Sequence, residues 1–169
     1  MTATTEPQAH HIDIQLEIRI EAPRDRVWTA LTDEIGAWWH KDFFTHPDAG
    51  SFRLQPKLGG WMYEDWGNGD GQLWGTVNGV RKGEMLQVVG DTSADWGGPN
   101  RGILTWRLEE EAGVTVVAFR HSLFGNVSEQ TRDSLEGGWR LLFEDCMKAY
   151  VEGGARPDAA DADAPPCDA

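Results

Sequence analysis

Seven apolar side chains in the last part of the chain, Leu135, Trp139, Leu142, Phe143, Cys146, Met147 and Tyr150, recur at steps of three and four. That spacing lines them along one face of an α-helix roughly five turns long. Gly137 and Gly138 interrupt the stripe, and each costs about 1 kcal/mol against alanine in a helix interior. A helix that keeps two glycines beside a tryptophan is expected to lie across something large, a sheet edge or a ligand, that approaches its backbone.

The preceding sequence supplies a sheet. Ile12, Ile14, Leu16, Ile18 and Ile20 alternate with Asp13, Gln15, Glu17 and Arg19, the period-two pattern of a half-buried strand. Pro23 ends it and opens a helix over 24–33, with Val27, Trp28 and Leu31 on one face. A short second helix is expected over 34–39. Period two then returns, with strands expected from 52 to 54, 61–66, 73–80, 84–89, 101–109 and 114–123. Asn68-Gly69-Asp70-Gly71 reads as a hairpin turn. Short turns make the strands an antiparallel meander, so the domain is α+β, and the long helix is the element available to cover the sheet's concave face. Residues 1–11 are expected to be a flexible N-terminus, 12–153 the folded domain, and 154–169 a disordered acidic tail of Ala, Asp and Pro.

The formal charge is −13, from 15 basic and 28 acidic residues. This disfavours a nucleic-acid partner, whose backbone needs clustered Lys and Arg, and an anionic membrane surface. No apolar run suggests a signal peptide or membrane insertion. Cys146 falls on the helix stripe and Cys167 in the tail, a distribution expected of a reduced, cytoplasmic protein without a structural disulfide.

Several of these residues stand in an order that resembles the SRPBCC superfamily, the START-like proteins of helix-grip fold. Ala22-Pro23 after the first strand leads to Val27-Trp28 and Ala30-Leu31-Thr32, then Trp38-Trp39, Gly59-Gly60 and Gly75. The pair of strands over 104–125 and Gly138-Trp139 complete the pattern. Within the superfamily the chain is most similar to bacterial homologues of the activator of Hsp-90 ATPase, over residues 12 to 153. The resemblance implies a curved antiparallel sheet of six to seven strands wrapped around a long C-terminal helix, with two short helices after strand 1. It also implies a pocket between sheet and helix for an apolar or amphipathic small molecule. Relatives of this kind include lipid and hormone binders, polyketide cyclases and aromatases; the fold transfers more readily than the function.

Nine tryptophans are many for one domain. Core packing explains most of them, but Trp61, Trp74, Trp106 and Trp139 lie on strands or on the helix stripe and are candidates to stack on a flat ligand. Phe119 and His121 share one face of the last strand, and Leu135 and Phe143 share the helix stripe with Trp139. These eight residues form the expected binding site. In the strand over 61–66 either Trp61, Tyr63 and Asp65 or Met62, Glu64 and Trp66 face inward, and alternation leaves both assignments open. His121 reads first as a hydrogen-bonded histidine at a strand end and, if it faces the cavity, as the catalytic candidate, an acid or base near neutral pH; Glu64 and Arg107 are weaker polar candidates that read more readily as solvated strand residues.

His10 and His11 belong to the flexible terminus, and His40, Asp42 and His46 lack a fourth ligand for a structural zinc site. Neither a metal nor a cofactor is therefore expected. Neither a nucleophile elbow nor a phosphate-binding loop occurs. The aromatic segment 38–52 is expected to plug one end of the cavity or to gate it. The resulting expectation is binding of a small hydrophobic or aromatic molecule, with turnover disfavoured. A cyclase, dehydratase or hydrolase and a chaperone-ATPase activator or regulatory module are the alternatives. A homodimer remains open, and a chaperone partner is the least favoured.

Overall fold

The computed structural model describes residues 10–47, 49–94 and 98–153. The expectations for residues 1–9, Trp96, Cys167 and the acidic tail fall outside them. Seven strands form one antiparallel sheet: β1 (His10–Ile20), β2 (Ser51–Leu54), β3 (Trp61–Gly67), β4 (Asp70–Arg81), β5 (Met85–Thr92), β6 (Asn100–Glu111) and β7 (Val114–Gly125). The spatial order is β1-β7-β6-β5-β4-β3-β2. Strands β2 to β7 are the expected meander, while β1 pairs with β7 at the far edge. The strand β1 also starts earlier than its alternation suggests, because His10 pairs with Gly125 and His11 with Phe124. Those two histidines are thus in the sheet rather than in a flexible terminus.

Two hairpins follow from local chemistry. Asn68 and Gly69 both have positive φ, 57° and 91°, and sit between the paired Gly67 and Asp70. Ala112 (53°) and Gly113 (81°) do the same between Glu111 and Val114. Two central residues with positive φ form a turn whose twist matches that of the strands it joins. Register shifts mark β3–β4 and β4–β5, leaving Trp74 as an extra residue opposite Met62/Tyr63 and Asn78 as another opposite Val88/Gln87. Such bulges bend a strand and re-aim its side chains, and here Trp74 turns toward the concave face.

The concave face carries the buried alternants: Ile14 to Ile20 of β1, Val117 and Phe119 of β7, Trp106 and Leu108 of β6, Leu86 and Val88 of β5. In β3 it carries Met62 and Glu64, each 0% exposed. Trp61 points the other way and is 54% exposed; against expectation, it belongs to the outer face. Helices α1 (Arg24–Leu31) and α2 (Ile35–Trp38) close one end of the sheet.

The C-terminal helix runs as α3 (Glu129–Arg140), a π-helical stretch (Leu141–Met147) and α4 (Lys148–Gly153). Ser128 caps it, its side chain accepting from the Thr131 amide while the Thr131 hydroxyl accepts from the Ser128 amide. The π stretch has a physical reason. Residues 135, 139, 143 and 147, and 142, 146 and 150, are separated by constant steps of four, which overshoot an α-helical turn by about 40° each. The wider π turn brings the row back onto the sheet, so Trp139, Leu142, Phe143, Cys146 and Met147 are all buried. Among the described residues, what approaches the double glycine is the ring of Phe43. A Cβ on Gly138 would stand 2.9 Å from Cε1 of Phe43, whereas one on Gly137 would meet nothing.

Much of the space between helix and sheet is filled by rings. Trp139 and Phe143 stack at 5.5 Å, Phe119 lies 4.8 Å from Phe143, and Trp106 lies 5.3 Å from Phe119. Trp39 stacks on Phe52 at 3.7 Å and meets the edge of Trp74 at 5.4 Å. Among the described residues no helix is long and apolar enough to cross a membrane.

Candidate functional site

The ring packing stops short of the N-terminal half of α3, and there a cavity of about 470 Å³ opens. Its walls are the turn at 42–45, Trp74 of β4, the end of β5, Gly102 and Leu104 of β6, His121 and Leu123 of β7, and Thr131, Leu135 and Trp139 of α3. The floor is apolar. Polar groups, among them Asp42, Thr45, Gln72, Asp91 and Ser93, stand around the rest of the lining, which contains no Lys or Arg.

Four of the eight expected residues, Trp74, His121, Leu135 and Trp139, line this cavity. Trp106, Phe119 and Phe143 do not: they are 1%, 1% and 0% exposed and form the solid ring cluster beneath it. Trp61 is on the outer face. Phe43 and Phe44 of the aromatic segment belong to the lining, while Trp38, Trp39 and Phe52 of the same segment are core residues. The segment is thus part wall and part plug.

His121 is 8% exposed, and its Nδ1 accepts a hydrogen bond of 3.0 Å from Trp139 Nε1. An indole nitrogen only donates, so Nδ1 carries no proton and the neutral ring is protonated on Nε2. Burial pushes the pKa down to about 4, against the opposing pull of the Asp13 carboxylate. At neutral pH the imidazole is therefore uncharged, with its basic nitrogen already occupied. What His121 presents to the cavity is a hydrogen-bond donor. Its Nε2 would lie 2.7 Å from a Cβ at Gly102, and glycine there leaves the space open.

Glu64 is the residue that sequence reasoning misjudged most. It is fully buried, and each of its oxygens is engaged. Oε1 accepts from Trp74 Nε1 at 2.9 Å and from the Thr45 amide at 2.9 Å. Oε2 accepts from Trp66 Nε1 at 3.0 Å and the Thr45 hydroxyl at 2.9 Å, with the Thr45 amide also 3.0 Å away. Multiple N–H and O–H donors are what a buried carboxylate needs in place of water. One side chain thereby orients the Trp74 wall and ties down the turn that carries Phe43 and Phe44. Arg107, by contrast, is exposed as expected.

At the cavity lining, Asp42 Oδ2 lies 3.5 Å from His40 Nδ1. His40 Nδ1 lies 3.3 Å from the Asp42 amide, a local turn contact. Among the described residues no group of three or more His, Cys, Asp or Glu is placed to hold a metal ion.

The fold has known counterparts. DynU16, a protein of the dynemicin biosynthetic locus, superposes with a TM-score of 0.62 at 22% identity, over 84% of this chain and 48% of its own. This chain therefore spans about half the length of that protein. CalU16 from Micromonospora echinospora gives 0.61 at 20% identity, over 93% of this chain and 89% of its own. The Aha1 dimer from Colwellia psychrerythraea gives 0.58 at 21%, over 85% and 98%. At these identities the likeness establishes the helix-grip fold and nothing finer. Comparison with curated proteins gives no match. The profile described as "Activator of Hsp90 ATPase homolog 1-like protein" matches residues 21–152, most of the described domain, and so the chain belongs to that family of the SRPBCC superfamily.

Proposed function

We propose that the protein binds a small, largely apolar molecule with a flat ring system in the cavity between β4–β7 and α3. The cavity itself carries this reading: about 470 Å³, with Trp74, Trp139, Phe43 and Phe44 among its walls. That is roughly three times the ~150 Å³ that accommodates a benzene, and within the ~300–1,000 Å³ of small-molecule sites. Aromatic walls favour flat partners through offset or edge contacts. The acidic residues and lack of Lys or Arg in the lining favour a neutral or cationic molecule over an anion.

An acid–base enzyme is less well supported. Trp139 occupies His121 Nδ1, and hydrogen-bond donors occupy both oxygens of Glu64, so both side chains serve the architecture of the cavity. Membership of the family brings no ligand with it. Isothermal titration calorimetry with neutral two-ring aromatics tests the proposal, using Leu135→Trp as the control because the larger side chain would occupy the cavity. Saturable binding to the wild type and its loss in Leu135→Trp are expected. Absence of binding across the series, or equal binding to the filled variant, would overturn the reading.

A further inference from the structure

In the cavity lining, His121 Nε2 and the buried Asn100 Oδ1 have no hydrogen-bond partner among the described residues. His121 is more than nine-tenths buried, its Nδ1 is taken by Trp139, and its Nε2 has no hydrogen-bond partner among the described residues. Gly102, itself in the cavity lining, keeps the approach to Nε2 clear. The direction of the proton is fixed chemically: the donor-only indole forces the Nε2–H form. The N–H opens on the cavity, where an acceptor on a bound molecule can meet it.

We infer that the site is specific for a neutral aromatic carbonyl compound, a ketone, aldehyde or quinone, whose oxygen accepts a hydrogen bond from His121 Nε2–H. This rests on the binding reading above and narrows it. The surroundings select the carbonyl from other acceptors. Gly102 and Leu123 stand beside Nε2, Leu104 pairs with His121 across the strands, and Trp139 holds Nδ1. A hydroxyl would also have to place its own proton on a second acceptor, for which the lining offers Asn100 Oδ1. A carboxylate would bring a charge onto an apolar floor beside an uncharged imidazole, in a cavity lined by Asp42 and Asp91. A carbonyl oxygen needs one donor and brings no proton, and a neutral imidazole is suited to polarise it.

Three probes of nearly one shape separate these cases: 2-acetylnaphthalene, 2-isopropenylnaphthalene, in which C=CH₂ replaces C=O, and 2-naphthoate. Calorimetry on the full chain at pH 7 should rank the ketone about five- to tenfold above the alkene, the worth of one hydrogen bond, with the carboxylate weakest. In His121→Phe the preference for ketone over alkene should disappear while the alkene still binds. The C=O stretch of the bound ketone should move to lower frequency in the wild type, a shift independent of the variant's stability. Long-range ¹H–¹⁵N spectra should show the Nε2–H tautomer, with Nε2 responding to ketone and not to alkene. Equal affinity for ketone and alkene, or an Nδ1–H tautomer, would overturn the carbonyl inference and leave the binding reading intact. Failure of all three probes to bind would overturn both.

Discussion

Replacing Glu64 by Gln tests the arrangement that shapes the cavity. The carboxylate accepts from two indole nitrogens, one amide and one hydroxyl, at 2.9 to 3.0 Å. An amide retains one acceptor oxygen and turns the other atom into a donor. Whichever way it is oriented, its NH₂ faces Trp66 Nε1 or Trp74 Nε1; the Thr45 hydroxyl can rotate to accept, but an indole cannot. One charge-assisted bond, about 1.5–3 kcal/mol, is lost, and a buried N–H is left unmatched at about 1–3 kcal/mol. Relief from burying a charge offsets part of this. The net expectation is a loss of about 3 kcal/mol, or about 6–12 °C in Tm for a domain of this size. Urea denaturation followed by far-UV circular dichroism reads the change, with unchanged m-value as the sign of an intact fold. A variant within about 0.5 kcal/mol of the wild type, or a more stable one, would show that charge burial outweighs the network and refute the role given to Glu64.

Three further outcomes follow from the same geometry. An unfolded imidazole near 6.5 protonates before the folded His121, at about 4, so the unfolded chain holds the extra proton between these values. Stability should therefore fall by about 3 kcal/mol as pH drops from 6.5 to 4 and show no His121 contribution to slope above that range. His121→Asn, which keeps an acceptor for Trp139, should remove this component in pH-dependent urea melts, and an unchanged slope would contradict it. Gly102→Ala places a methyl 2.7 Å from His121 Nε2; about 1–3 kcal/mol of destabilisation is expected from overpacking, with loss of ligand binding by calorimetry. Gly137→Ala meets nothing and should raise stability by about 1 kcal/mol. Gly138→Ala collides with Phe43 and should gain less than its neighbour in thermal melts.

The secondary structure was legible because local chemistry and tertiary packing agree there. The isoleucine alternation of β1, the Asn68-Gly69 turn and the helix stripe each have one physical solution. Even the π stretch has a trace in the sequence, since constant steps of four drift on an α-helix. The inward face of β3 was not legible: Trp61 and Met62 are both apolar, and Glu64 and Asp65 are both acidic, so alternation gives two equivalent patterns. What decided it was a contact distant in sequence, between Glu64 and the indole of Trp74, which a bulge turns inward. The extent of the cavity was hidden for a related reason. Phe119 and His121 occupy one strand face, yet only the second borders open space, because Phe143 and Trp106 fill the region beneath the first. Where ring packing ends is a property of volumes in three dimensions. Likewise, the sequence pattern identifies His121 as titratable, while burial and the Trp139 N–H make it a neutral donor.

The proposed binding places a flat apolar molecule at the N-terminal half of α3. A crystal structure grown with 2-acetylnaphthalene tests it most directly. The rings are expected among Trp74, Leu104, Leu135 and Trp139, with the carbonyl oxygen within hydrogen-bond distance of His121 Nε2. Binding instead in the outer-face depression of about 400 Å³ along Thr76, Asn78, Val89 and Arg101, or a cavity that stays without the molecule at saturating concentration, would contradict it.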